Sequence, residues 1–222
     1  MKRVCLFFTA ALFASAALMT SCEKDDEDKD DNNDENGLVA STVSGNLDIK
    51  IEGVHDEFDP SYIFDVELTT WDSDHYDYVV LATAKYSNDG FTISLPENPP
   101  SNTLKPINDD FGFEPEDGVK ISNMNAKIMQ AGLYAKNEYG SNCGSIYLYK
   151  EEGDTEFYMY LIYSDSDVNV TGKDLGNEET YSLSLKKGWN KMYCIYKELP
   201  DGRDDDIYTT TPQSGMKWFF GY

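Results

Sequence analysis

Histidine is almost missing from this chain: of 222 residues only two are His, His55 and His75, and both sit among acids. No Gly-x-Ser-x-Gly elbow accompanies them and no cysteine stands in a nucleophile context, so the usual sequence marks of hydrolytic catalysis are absent. Triad members converge in space from distant positions, which keeps a hydrolase on the page only as an alternative. Cysteine is equally scarce, with four in total, no Cys-x-x-Cys pair and no Cys/His cluster. Zinc and dithiol redox centres therefore drop out. Positive charge is short as well: 18 Lys and Arg face 41 Asp and Glu, a formal net charge of -23. Nucleic acid and anionic headgroups both need a basic footprint and are excluded as partners. Nowhere do about 20 apolar residues run together as a membrane span requires. A sustained 3.6-residue apolar period, the mark of long amphipathic helices, is also lacking.

What is present begins at the N-terminus. Lys2 and Arg3 precede an apolar stretch from Val4 to Leu18, and Met19-Thr20-Ser21-Cys22 follows. That is the layout of a secretory signal. Leu18-Met19-Thr20-Ser21-Cys22 resembles a bacterial lipoprotein signal, which implies residues 1–21 as signal peptide and Cys22 as the lipidated first residue of the mature protein. Cys22-Glu23-Lys24-Asp25-Asp26 resembles the acidic export tag of surface-exposed lipoproteins of the Bacteroidetes group. The resemblance implies an outer-membrane lipoprotein with its domain at the cell surface, a periplasm-facing orientation being the alternative. Residues 22–40 read as a disordered acidic tether, since a like-charged run repels itself and stays extended. Membrane contact is expected through lipid on Cys22 alone, and stable anchoring needs more than one acyl chain.

Residues 41–222 suffice for one domain with its own core, with two sub-halves divided near 97–118 as an option. Period-2 alternation dominates. Leu47, Ile49 and Ile51 alternate with Asp48 and Lys50, and Phe64, Val66 and Leu68 with Asp65 and Glu67. Tyr78 to Tyr86 and Phe91 to Leu95 flank Asn88-Asp89-Gly90, which predicts a hairpin. Pro96 to Gly118 reads as a long connection anchored by Leu104, Ile107, Phe111 and Phe113, with room for one helical turn. Further strands are expected near 126–135, 144–150, 156–164, 168–171, 180–185, 189–199, 207–211 and 216–220. Phe157 to Tyr163 is apolar on both faces, as in a central strand covered on each side. About a dozen short strands separated by turn signals predict an all-β protein, an antiparallel sandwich or a barrel-like variant of it.

Val43-Ser44-Gly45, Val66-Glu67-Leu68 and Asp89-Gly90-Phe91-Thr92-Ile93-Ser94-Leu95-Pro96 resemble the transthyretin-like, carboxypeptidase-regulatory type of sandwich module over residues 43–96. The second half departs from that pattern. Its Lys187-Gly188-Trp189-Asn190 and Lys217-Trp218-Phe219-Phe220 resemble segments of uncharacterised Bacteroidetes lipoproteins, which implies no activity.

Three sets of residues are candidates for function. Trp71, Trp189 and Trp218, among 16 Tyr and 11 Phe, are the residues on which sugar rings could stack, or else core filling. Asp72, Asp74 and Asp77 in one acidic segment, and Asp204 and Asp206 in another, supply the oxygen ligands calcium prefers, or are solvated turns. Cys143 and Cys194 lie in a compartment that permits disulfides; they form either a bridge contributing about 4 kcal/mol or two buried free thiols. The reading is a non-catalytic surface module that binds carbohydrate or a surface protein. Its rival is a structural or adhesive lipoprotein, calcium-stabilised, without a small-molecule ligand. Replacing Cys22 with Ala is expected to move the protein from the membrane pellet to the soluble fraction and to abolish fatty-acid labelling, as fractionation and radiolabelled palmitate would report.

Overall fold

The computed structural model describes residues 38–54, 60–72, 75–87, 90–111, 118–174, 179–199 and 204–221. The signal segment, Cys22 and the acidic run lie outside the described residues. The strands, in chain order, are β1 (Thr42–Val43), β2 (Asn46–Lys50), β3 (Gly53–Val54), β4 (Asp65–Asp72), β5 (Asp77–Lys85) and β6 (Gly90–Ser94). Next come β7 (Lys105–Pro106), a single-turn helix α1 (Ile107–Phe111), β8 (Val119–Ile121), β9 (Lys127–Lys136), β10 (Asn142–Glu152) and β11 (Thr155–Ser164). The chain closes with β12 (Val168–Lys173), β13 (Thr180–Leu185), β14 (Gly188–Glu198), β15 (Asp204–Thr209) and β16 (Lys217–Gly221). The fold is all-β. Fourteen strands join one large sheet, β2 and β6 form a second small one, and the large sheet is not closed into a barrel.

At the centre, all ten residues of β11 pair antiparallel with β14, from Thr155 opposite Lys197 to Ser164 opposite Gly188. Both strands are covered on both faces. Met159, Leu161 and Tyr163 of β11, with Trp189 and Tyr193 of β14, enter a first core built with β4, β9, β10, β16 and the β2–β6 sheet. Ile162, Met192 and Cys194 point the other way into a second core with β8, β12, β13 and β15. A strand buried on both faces cannot alternate apolar with polar, which is why Phe157 to Tyr163 is continuously apolar.

The other edge of β11 is shared. Its first half pairs with β10 (Thr155 to Met159), its second half with β9 (Leu161 to Ser164), and β9 and β10 pair with each other near Leu133 and Ile146. The sheet therefore forks. A bulge between Asn142 and Gly144 lies in the β9–β10 arm of this fork. Gly144 has φ +140, and a Cβ there would stand 2.7 Å from the Gly221 carbonyl oxygen of β16, so only glycine fits.

Pairing departs from expectation in three places. The strands flanking Asn88-Asp89-Gly90 do not form a hairpin: β5 pairs with β4 and β6 with β2, and Ser87 opposite Gly90 is the bridge between them. The alternation explains the choice, since Phe91 and Ile93 share a buried face with Ile49 and Leu47 and close the first core together. Two pairings, β13 with β15 and β16 with β3, are parallel in an otherwise antiparallel sheet. Finally, Cys143 and Cys194 are free thiols, packed against the first and the second core respectively, so the bridge alternative is replaced by two separate thiols. Burial pushes both thiols above their ordinary pKa.

The turn between β13 and β14 is organised by Asn190, which is fully buried. Its Oδ1 accepts from Lys186 N at 2.9 Å, and its Nδ2 donates to the carbonyls of Lys186 at 2.7 Å and Gly188 at 2.9 Å. Asn190→Ala would strand these backbone groups and is expected to cost about 1–3 kcal/mol. Leu161→Ala is expected to cost about 2–5 kcal/mol. Urea unfolding of the two variants beside the parent chain checks both, with an unchanged denaturant slope as the sign that only stability moved.

Candidate functional site: an exposed aromatic group beside a buried carboxylate

β4 and β5 form a hairpin at the margin of the large sheet. Leu68 pairs with Ala82 but Thr69 pairs with Val80, so Leu81 is an extra residue on β5. Because side chains alternate with period 2, one extra residue switches every position beyond it to the opposite face. Ala82 and Ala84 pack against the first core, whereas Tyr78 and Val80, four and two residues before Ala82, stand 47% and 49% exposed. Tyr78 lies opposite Trp71 on β4, their ring centroids 5.0 Å apart in an edge-on arrangement. On its far side Tyr78 meets Tyr134 of β9 at 5.6 Å. Burial and the neighbouring Tyr78 push the Tyr134 phenol above its ordinary pKa.

The hairpin tip adds a fourth ring. Tyr76 is 81% exposed, stands 6.5 Å from Trp71 and has φ +53. A left-handed backbone at a non-glycine residue costs roughly 1–2 kcal/mol, and here it holds a large aromatic out in solvent. Beneath the tip, Asp72 is buried. His75 Nδ1 lies 2.8 Å from its Oδ2, and Asn102 Nδ2 donates to the same oxygen at 3.3 Å. Asn102 is presented by a one-turn segment, Ser101–Thr103, which Thr103 ties down by donating to the Pro100 carbonyl at 2.7 Å. At the opposite end of the hairpin from its tip, Lys136 pairs with Glu67 at 3.1 Å, and Lys85 with Asp65 at 2.8 Å while lying over the Phe64 ring. Asp72 and Asp77 face each other where the two strands reach the tip.

The structure separates the three tryptophans. Trp71 belongs to this surface group. Trp189 is buried, its Nε1 donating to the Pro96 carbonyl at 2.8 Å and its ring edge-on to Tyr163 at 5.6 Å. Trp218 is buried in β16 opposite Leu148. Neither can offer a face to a ligand, so both join the core, where burial of a large ring contributes most. Tyr147, Tyr149 and Tyr158 likewise cluster with Phe219 and Tyr196, ring to ring, around β10 and β16. Tyr149 and Tyr158 donate to Glu151 and Glu156, each at 3.2 Å.

The aspartates proposed as calcium ligands are spread differently. Asp72 ends β4, Asp77 starts β5 opposite it, and Asp206 is a buried residue of β15, so these positions belong to strands rather than loops. Asp74 and the side chain of Asp204 lie outside the described residues. Among the described residues, no three His, Cys, Asp or Glu side chains converge to hold a metal ion.

Sequence reasoning reached Trp71 and Asp72 but passed over Tyr76, Tyr78, Tyr134 and Asn102. Tyr78 and Tyr134 sit inside apolar strands and read as core. The one available signal was the break of alternation at Val79-Val80-Leu81, where the bulge falls.

A second acidic feature lies in the second core. Glu179 is buried and accepts from Tyr181 and, at 3.5 Å, from Tyr208, whose rings stack 5.1 Å apart. Burial raises the Glu179 pKa above its ordinary 4.5, and Asp174 adds to the rise while the tyrosine hydrogen bonds oppose it. A carboxyl whose folded pKa is raised contributes its full stability below the unfolded value and loses it as pH climbs through the folded one. Glu179→Gln is therefore expected to melt higher than the parent at pH 7.5 and to show a smaller gain on acidification towards pH 4.5, measured by melting temperature across that range.

No family model matches this chain, and neither a curated protein nor a solved structure matches it.

Proposed function

We propose that this protein is a lipid-anchored, surface-exposed module without catalytic activity that binds carbohydrate through the Trp71, Tyr76, Tyr78 and Tyr134 group. One observation carries the reading: Tyr76 and Tyr78 stand exposed in ring contact with the half-buried Trp71 and Tyr134, and Tyr76 is held out by a strained backbone. Scattered exposed apolar residues need no explanation, but a contiguous patch rimmed by polar groups marks a binding surface. The apolar C–H faces of a sugar stack on such rings, and the polar rim of His75 and Asn102 supplies hydrogen bonds to hydroxyls. The acidic tether after Cys22 would hold the domain away from the bilayer, where soluble or cell-bound glycans can reach it.

The test is thermal melting of the full chain in detergent with panels of neutral and acidic glycans. A ligand at about 100 times its Kd stabilises the native state by about 2.7 kcal/mol, a clear rise in melting temperature. Trp71→Ala is expected to abolish that rise while leaving the unliganded melt in place, whereas Trp189→Ala lowers the melt itself by loss of about 3–5 kcal/mol. A panel in which no glycan moves the melt removes the carbohydrate reading.

A further inference from the structure

We propose that the contact between the start of β13 and β15 is a pH-operated latch: Glu179 holds the two strands together while it is protonated, and its ionisation releases them locally. The latch is independent of what the surface aromatics bind.

Topology makes such a release local. Strands β8, β12 and β13 lie at one end of the large sheet, beyond β15. Their strand pairing to the rest of the sheet runs through β13 alone, and β13 pairs with β15 over three residues, Thr180 to Ser182 against Ile207 to Thr209. Just past that ladder, Thr210 N donates to the Ser182 carbonyl at 3.3 Å, and Ser184 N donates to Thr210 Oγ1 at 2.9 Å. Farther along, Leu183 and Leu185 of β13, with Val168 and Val170 of β12, are sunk in the second core. Apolar burial fixes that part. The start of β13 is held instead by three residue pairs and a polar cluster.

The cluster is made of acids and phenols. Glu179 takes the Tyr181 hydroxyl on Oε2 and the Tyr208 hydroxyl, 3.5 Å away, on Oε1, so its carboxyl ties β13 to β15. The rings of Tyr181 and Tyr208, direct neighbours in the ladder, stack 5.1 Å apart. Asp174, following β12, is buried and donates its backbone N–H to the Glu179 carbonyl at 2.8 Å. Asp206 of β15, and Cys194 and Tyr196 of β14, complete the titratable groups around it. No cation is among the groups that shift Glu179, and Lys173 of β12 is turned to Asp205 at 3.9 Å.

Ionised Glu179 is therefore opposed by burial and by Asp174, with only the two phenols in its favour. Its folded pKa lies above the ordinary 4.5, so the docked contact is fully favoured below that value and weakens as pH climbs through the folded one. The penalty can be relieved without unfolding either core, because releasing Glu179 to Ser182 returns the carboxyl to water and gives up only the three-residue ladder. Release uncovers the edge of β15 from Ile207 to Thr209 and, beneath it, Cys194, which is 1% exposed in the docked form.

The test is amide hydrogen exchange on the full chain in detergent, from about pH 4.5 to about pH 7.5, corrected for the intrinsic exchange rate. Peptides covering 179–183 and 207–209 are expected to lose protection as pH rises, about tenfold for each unit by which the folded pKa exceeds the unfolded one. Peptides from β11 should hold theirs. Glu179→Gln should keep the latch closed and flatten the profile. Two further variants act in opposite directions. Asp174→Asn removes a like charge and should shrink the fall in protection, whereas Tyr208→Phe removes a donor that favours the charged form and should deepen it. A merely structural effect would lower protection at every pH in both. A flat profile in the parent chain, an equal fall in β11, or a fall that survives Glu179→Gln overturns the latch.

Discussion

The ladder between β11 and β14 is the constraint on which the other strands depend. Ten consecutive pairs run from Thr155 to Ser164 against Lys197 to Gly188, and side chains leave this ribbon in both directions into separate cores. Every one-residue slip of that ladder would exchange the residues of the two cores, sending Ile162, Met192 and Cys194 to one side and Met159, Leu161 and Tyr193 to the other. Both faces being buried, the register is held twice over. Strands β9 and β10 then divide one edge of β11 between them, while β15 and β1 divide the free edge of β14.

Polar groups inside this arrangement are placed where the chain must turn or end. Asn190 completes the backbone of the β13–β14 turn, and Trp189 and Tyr163 reach across to the carbonyls of Pro96 and Glu97, fastening the long connection to the sheet. Those bonds are why residues 96–111 can follow the surface with little secondary structure of their own: the scaffold supplies partners that a strand or helix would otherwise provide. Glu179 is the counterexample, a buried carboxyl whose tyrosine partners offset only part of its desolvation.

The aromatic group belongs to the margin, not to this double-sided centre. β4 reaches the middle of the sheet only through β9, and β5 pairs, among the described residues, with β4 alone. A hairpin in that position can carry a bulge, a left-handed tyrosine and an exposed edge without disturbing either core. Function placed there is cheap to vary and is held still by what lies beneath it: Val66 and Leu68 are completely buried in the first core, and Thr70 donates to the Gln130 carbonyl at 2.8 Å. A rigid base with an irregular rim is the usual arrangement of a recognition surface.

Much of the architecture was legible in the residues themselves. Period-2 alternation located Thr180–Leu185 to the residue and most other strands to within one or two, and the unbroken apolar run at Phe157 to Tyr163 announced a strand covered on both sides. One helical turn in the Pro96 to Gly118 connection, α1, was foreseeable from its isolated apolar anchors, whereas the second, Ser101–Thr103, was not. Partner choice was not. Asn88-Asp89-Gly90 has the chemistry of a hairpin turn, and Ser87 and Gly90 do exchange both backbone hydrogen bonds across it, yet the strands beyond belong to different layers, and the burial gained by joining β6 to β2 stops the pairing at that bridge. The sequence by itself determined the class, the strands and the two-sided ribbon, because alternation is a local property of one strand. Only the tertiary structure decided which aromatics reach solvent. Trp71 comes at the end of one strand and Trp189 near the start of another, and what separates their fates is whether another layer lies over the strand and whether one extra residue, Leu81, has turned its neighbours outward.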